Sequence, residues 1–264
     1  MVVCMRLRRM QTTISGTIPP FPAREGGIRG DGWAVKVCLK TQANLTDMLI
    51  LASNSPRRKE LLTLLDLPFR ACPAEIDESA LPGEAPRTYV LRLAEGKARA
   101  VAAQVPADSL VIAADTTVAD GLDILGKPVD EQQAVEMLTR LRGHLHQVYT
   151  AVAVLRAADG MLLLDACATD VPMRDYSQAE IAAYVATGDP LDKAGAYAIQ
   201  HDGFHPVDHL EGCYANVVGL PLCHLTRLLR KLNVQPQADL PVACQTALQY
   251  KCSIFREILT NSKD

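Results

Sequence analysis

No two cysteines stand as CxxC, and none joins a histidine at zinc-ligand spacing. That absence removes zinc fingers and ribbons from consideration. The eight that are present, Cys4, Cys38, Cys72, Cys167, Cys213, Cys223, Cys244 and Cys252, are scattered. Such usage fits free thiols in a reducing compartment, so a cytoplasmic location is the expectation. Cys244 and Cys252 are near enough in sequence for a local bridge, which nothing else in the chain demands. No apolar run approaches the roughly 20 residues that cross a bilayer, so no membrane span is expected. A basic excess is missing too: 27 Lys and Arg face 30 Asp and Glu, for a net charge of −3 and a pI of about 6.1. A dedicated nucleic-acid binder is ordinarily basic, so no nucleic-acid partner is expected and any anion site must be local. No internal repeat is visible, which excludes a repeat architecture.

What remains is an ordinary globular composition, 48% hydrophobic and 22% charged over 264 residues. That length suits one large domain or two small ones. Residues 1–47 hold no helical or strand period for long. Their first 23 residues carry Arg6, Arg8 and Arg9 and no acid. They read as an atypical or disordered leader, or as translation begun upstream of Met48; an Arg-rich, acid-poor start also permits a transit peptide. From Met48 the pattern becomes regular, and residues 48–232 read as the domain, with 233–264 as a tail of weak helical potential at 245–259.

Within the domain, "MLILAS" (48–53) is a buried-strand candidate. Ser55 can cap the following helix and Pro56 suits its first position, where the missing N–H has no partner to lose. Residues 87–104 read as a helix and "SLVIAAD" (109–115) as a second buried strand ended by an acid. A loop or short hairpin at 121–130 and a helix at 131–141 come next. Strands at 146–156 and 161–174 flank an Ala-Asp-Gly turn. "SQAE" (177–180) is a capping box whose helix stops at Gly188, and Pro221 opens a last leucine-rich helix. Strands alternating with helices make the class α/β with a mixed sheet.

Several residues are not explained by packing alone. On a wheel of residues 89–104, Lys97 falls within an arc of Tyr89, Val90, Leu93, Ala94, Ala98 and Val101. A buried ammonium needs an anionic partner; the alternative is a stem that snorkels out. Asp115 at a strand's carboxyl end is either a turn or cap residue, or a metal ligand or general base. "EIDES" puts Asp77 and Glu78 in one loop, which is a solvated acidic run unless it holds Mg²⁺ beside a phosphate. "SPRR" places Arg57 and Arg58 at the positive end of a helix, where arginines are poorly placed unless an anion compensates. Lys127 in "LGKP" and Lys193 in "LDKAG" sit in stiff loops. Together the set asks for a polyanion and a metal, and a nucleoside triphosphate supplies the first.

"LILASNSPRRKELL", "EIDES", "LAEGKA", "AADTTV", "ILGKPVD", "LRGHLHQVYTAVAV", "DKAGAYAIQ" and "YANVVGLPL", in this order and spacing, resemble the Maf family of nucleotide pyrophosphatases, also called septum-formation-inhibitor-like proteins. The likeness covers about residues 48–232. It implies a mixed twisted sheet flanked by helices, of the Maf/inosine-triphosphatase-like kind. It also implies hydrolysis of a nucleoside triphosphate between its α and β phosphates, a divalent cation (Mg²⁺ or Mn²⁺) as cofactor, and dimers, which are frequent in the family. The alternative is a nucleotide-binding or cell-division regulatory protein without turnover, against which the intact acid and lysine set speaks.

By the same likeness, Asp115 is the general base, with Lys97 and Lys127 as catalytic phosphate partners and Glu78 as a metal or phosphate partner. Arg57, Thr116 and Gln200 are the residues associated with substrate choice. From the residues themselves rather than the likeness, Asp77 and Asp115 would help Glu78 hold the metal, and Ser53, Ser55 and Lys193 would line the substrate. The block around Gln200 is similar to that of the dTTP/UTP subgroup, although Ala198 and His201 stand where the family often has glycine.

Overall fold

Leu49–Leu51 form strand β1, buried on both faces, because three aliphatics in a row leave no side for water. The computed structural model describes residues 49–201 and 203–260; the leader expected over 1–47 lies outside the described residues. β1 runs parallel to β2 (Arg70–Ala71) and to β3 (Leu110–Asp120). Beyond β3 the sheet turns antiparallel, through β5 (Leu145–Arg156) and β6 (Met161–Pro172). β4 (Asp123–Leu125) folds back on the end of β3, and the six strands take the order β2-β1-β3-β5-β6 with β4 on β3. The result is a mixed α/β sheet.

Strand alternation divides the core. Ile50, Ala52, Val111, Ala113, Ala151 and Ala153 pack with Val90, Ala94, Ala98 and Val101 of α2 (Pro86–Ala102). Leu49, Leu51, Leu110, Ile112, Ala114 and Val152 point the other way. They meet Leu61 and Leu62 of α1 (Pro56–Thr63) and Leu222, Leu225 and Leu229 of α6 (Leu222–Lys231). A further cluster joins Val118 and Val148 to α3 (Glu131–Leu141) and α4 (Gln178–Val185). The helices begin as their sequences predict: Ser55 accepts from Arg58 N ahead of Pro56, and Ser177 with Glu180 closes a reciprocal capping box.

Two expectations need correcting. Asp115 does not end its strand. β3 continues through Thr116, Thr117 and Val118, three β-branched residues, to Asp120. The stretch after residue 232 is also more structured than its weak helical potential suggests. It forms α7 (Leu240–Leu248) and α8 (Phe255–Thr260). Leu240 is buried in the α1/α6 cluster, with Cys244, Leu248 and Ile254 packed against it. Tertiary burial there outweighs modest propensity. Cys244 and Cys252 are free thiols, as are the other described cysteines. No helix among the described residues is long and apolar enough to cross a membrane.

Candidate active site

On one edge β3 pairs with β5 from residue 110 to 119. On the other, β1 covers residues 110–112 and β4 covers 118–120. Residues 113–117 therefore face a gap between β1 and β4. A cleft of about 590 Å³ opens there. Five cations, Arg57, Arg58, Lys97, Lys127 and Lys193, and three carboxylates, Glu78, Asp115 and Asp192, line it.

The two faces of β3 bring different groups to this gap. Asp115 shares the phase of Val111 and Ala113, so it faces α2. There Lys97 lies on the same helical stripe as Val90, Ala94 and Val101. Its ammonium donates to Asp115 Oδ1 at 2.6 Å and lies 2.7 Å from Glu78 Oε1. Lys97 is 7% exposed and does not snorkel; it is held by carboxylates. Burial raises the Asp115 pKa above the ordinary 3.8, against the opposing pull of Lys97 and Arg58. Glu78 also feels burial, but hydrogen bonding from Lys97 and the charges of Lys97, Lys127 and Arg58 win, and its pKa falls. Two carboxylates within reach of one cation thus differ in basicity, and the buried one is the stronger base. Tyr89 fixes the Glu78 loop by donating from its hydroxyl to Glu78 O at 2.8 Å.

Thr116, one residue on, faces α1. Arg58 donates from Nη2 to Thr116 Oγ1 at 3.0 Å and from Nε to Gly219 O at 2.9 Å. The partners of Arg58 are thus a hydroxyl and a carbonyl, not an anion. Desolvation lowers its pKa, with Asp115 and Glu78 acting in the opposite sense. Gly219 has φ +120°, a conformation that side chains rarely adopt, and a Cβ there would lie in ordinary contact with Thr116 Oγ1 and Arg58 Nε. Arg57, its neighbour, reaches across the mouth to Asp192, 3.9 Å away. Ser53 is buried and accepts from Ser55 N at 3.1 Å, so both serines shape the strand-to-helix turn while lining the cleft.

The opposite wall is the stretch 192–200. Lys193 Nζ is gripped by Asp189 O at 2.6 Å, Asp189 Oδ1 at 2.8 Å and Asp192 Oδ1 at 2.6 Å. Lys193 therefore sets the shape of its own loop as well as lining the cleft. Tyr184 donates to Asp189 Oδ2 at 2.7 Å and accepts from Ala198 N at 3.0 Å, tying the loop to the segment that carries Gln200. Gln200 is exposed at the rim. His201 packs its ring against Tyr184 and accepts on Nδ1 from Gly203 N and Phe204 N, so this residue buttresses the wall.

Lys127 projects from the loop after β4 and makes no ion pair among the described residues. Its loop is clipped to the opposite wall by Gly195 N donating to Gly126 O at 3.0 Å. Gly195 adopts φ +67°, and a Cβ there would come within 2.8 Å of Val118 Cγ2. Gly195→Ala is expected to cost about 1–3 kcal/mol through strain and overlap, read by denaturant unfolding. A loss below about 0.5 kcal/mol would mean that the clip is not under constraint.

The structure thus brings together Ser53, Ser55, Arg57, Glu78, Lys97, Asp115, Thr116, Lys127, Lys193 and Gln200. Asp77 is the exception. Its carboxylate accepts from Ser79 N at 2.9 Å, stays exposed and does not line the cleft. Local turn hydrogen bonding holds it away. Sequence reasoning missed Thr150 and Asn216, buried behind Thr116. A polar residue in the middle of "VYTAVAV" was the available signal.

Among relatives, a dTTP/UTP pyrophosphatase of Anaeromyxobacter dehalogenans is 53% identical over 185 residues, covering 69% of this chain and 93% of that one. Proteins of the same name from Geobacter sulfurreducens (48% identical, 70% and 96% covered) and Myxococcus xanthus (49% identical, 71% and 93% covered) are also similar. The solved structure of the Staphylococcus aureus Ham1 protein matches with a TM-score of 0.38 at 12% identity, covering 62% of this chain and 81% of that one. The family model described as Maf-like protein matches residues 48–232, the span that holds every cleft residue named above. The chain belongs to the Maf family.

Proposed function

We propose that this protein hydrolyses nucleoside triphosphates, dTTP and UTP foremost, to the monophosphate and pyrophosphate. The observation that carries the reading is the pairing of a buried, basic carboxylate with a cation-lined cleft. Asp115 is a poised proton acceptor, and Arg57, Arg58, Lys127 and Lys193 surround the space beside it. Relatives up to 53% identical are named dTTP/UTP pyrophosphatases.

In this reading, Asp115 orients and deprotonates the water that attacks the α phosphorus. Its raised pKa makes the carboxylate a better base than an exposed one. Lys97 keeps that carboxylate ionised and aimed. Arg57, Arg58 and Lys127 offset the charge that accumulates on the leaving pyrophosphate.

The donor set fits a divalent cation: Glu78 and Asp115 bring carboxylate oxygens to within 2.7 Å of one point, the Lys97 ammonium. Mg²⁺ characteristically takes one or two carboxylates together with substrate phosphates. Held by carboxylate oxygens of Glu78 and Asp115, such an ion would supply electrostatic stabilisation of phosphate charge. No cluster of three or more His, Cys, Asp or Glu able to hold a metal occurs among the described residues, so the substrate itself would complete the coordination.

Gln200 at the rim can both donate and accept, as the uracil and thymine edges require. Gln200→Glu keeps the acceptors and loses the donor. It is expected to erase the preference for dTTP and UTP in a pyrophosphate-release panel over the common triphosphates, with and without Mg²⁺. An unchanged substrate ranking removes Gln200 from base selection. A wild-type protein that releases pyrophosphate from no triphosphate overturns the proposed activity.

A further inference from the structure

Thr116 and Thr150 are direct cross-strand neighbours on β3 and β5. Their hydroxyl oxygens are 2.9 Å apart, and geometry alone leaves the donor open. The partners at either end close the question. Thr150 Oγ1 lies 2.9 Å from Asn216 O, a carbonyl that can only accept, so the single Thr150 proton is committed there. Arg58 Nη2 can only donate, so Thr116 Oγ1 must accept from it. Between the two hydroxyls, Thr116 is therefore the donor. The chain has one direction: Arg58 to Thr116, Thr116 to Thr150, Thr150 to Asn216 O.

The terminus of the chain is firmly held. Asn216 sits in the short helix α5 (Tyr214–Val218) and is fully buried. Its side-chain amide donates to Val148 O and to Thr169 Oγ1, both at 2.9 Å, fastening α5 to β5 and β6. Three residues on, Gly219 O takes Arg58 Nε directly. The α5 segment thus supplies both acceptors that aim the guanidinium: Gly219 O by contact, and Asn216 O through two threonines. Thr150 is fully buried and does not line the cleft.

We infer that Thr150 and Asn216 are positioning residues that aim Arg58 into the cleft, and that Thr116 serves the same relay, its only proton being spent on Thr150 and unavailable to a base. The inference rests on the proposed triphosphate reading for its kinetic readout, but not for its structural one.

The test uses Thr150→Val, Thr150→Ala, Thr150→Ser and Thr116→Val in the full chain. Two quantities are read: kcat for pyrophosphate release from dTTP, and water exchange of the Arg58 Nε–H by NMR. In Thr150→Val, or in Thr150→Ala should the valine variant fail to fold, kcat should fall about 10- to 100-fold, the scale of a misplaced catalytic group. KM should change less, and the Arg58 Nε–H should exchange faster than in wild type. Thr150→Ser restores the hydroxyl and should recover both. Thr116→Val breaks the same link and should loosen Arg58 equally while leaving the ranking of dTTP, UTP and dCTP unchanged.

Unchanged water exchange of the Arg58 Nε–H in Thr150→Val and Thr150→Ala overturns the inference, even if stability drops. So does a Thr116→Val variant whose base ranking shifts with Arg58 undisturbed. A wild type without pyrophosphatase activity defeats the functional reading instead, and the exchange measurement still decides the relay.

Discussion

Asp115→Asn should lower pyrophosphate release by at least about 100-fold, the usual yield of a positioned base, while the protein stays folded. The amide keeps the shape of the side chain but cannot take a proton. Retention of more than about a tenth of the activity, a barrier change under about 1.4 kcal/mol, removes Asp115 from the chemistry. Stability should move in the opposite sense. Burial raises the Asp115 pKa above its unfolded value near 3.8. The folded protein therefore binds this proton more tightly than the unfolded chain does. The associated stability is complete below the unfolded pKa and is lost as pH climbs through the higher folded pKa. At neutral pH the ionised carboxylate is a cost to the fold.

Asparagine removes that cost, and Lys97 keeps Glu78 as a partner at 2.7 Å. Thermal unfolding at neutral pH should thus show Asp115→Asn to be at least as stable as wild type. The decline in wild-type stability from about pH 4 upward that Asp115 contributes should vanish in the variant. The same displacement should appear in activity, where the acidic limb of kcat/KM is set by an Asp115 ionisation lying above 3.8. A variant that is both inactive and much less stable would show that Asp115 holds the fold.

Lys97→Met should be the most damaging single change to the fold. Methionine suits the apolar stripe of Val90, Ala94 and Val101, so packing is largely kept. The charge is not. Asp115, 5% exposed, would be left with its nearest cation gone. Breaking a buried pair by removing one partner costs about 3–5 kcal/mol. Lys97 is also the foremost influence holding the Asp115 pKa down against burial, so its loss should drive that pKa up further. Any residual activity should then need higher pH. The double variant Lys97→Met with Asp115→Asn removes the stranded charge and should regain most of the lost stability. Denaturant unfolding of the four proteins forms a cycle, and losses that simply add would falsify the coupling.

Much of the scaffold was legible because it rests on local rules. Ser55 and Pro56 mark the start of α1, the Ser177–Glu180 box marks α4, and 131–141 matches α3 residue for residue. Lys97 announced a buried partner because it fell among aliphatics on a helical wheel. Three things were not legible. The acid at Asp115 looks like a strand end, yet the β-branched Thr116–Thr117–Val118 run carries β3 onward to Asp120. Arg58 finds Gly219 161 positions away, a pairing that no local pattern encodes. The tail helices depend on the α1/α6 core for burial, and their own sequence says little of it. Asp77 and Glu78 looked equivalent in "EIDES", and only the fold of the loop separates the one turned to Ser79 from the one turned to Lys97.

The alternation of β3 has a consequence for how this protein can change over generations. Asp115 and Thr116 are adjacent in sequence yet serve opposite faces, one toward Lys97 and the other toward Arg58. Inserting or deleting one residue anywhere between β1's footprint on β3 and Asp115 would exchange the two. An insertion would put the carboxylate at the hydroxyl's place opposite the arginine, and a deletion would put the hydroxyl at the carboxylate's place beside the lysine. Substitutions in this strand can be explored one at a time, but its length cannot. Length variation in descendants of this chain should therefore accumulate in the β5–β6 turn near Asp159, where Arg156 and Asp159 close an exposed loop that no cleft residue depends on.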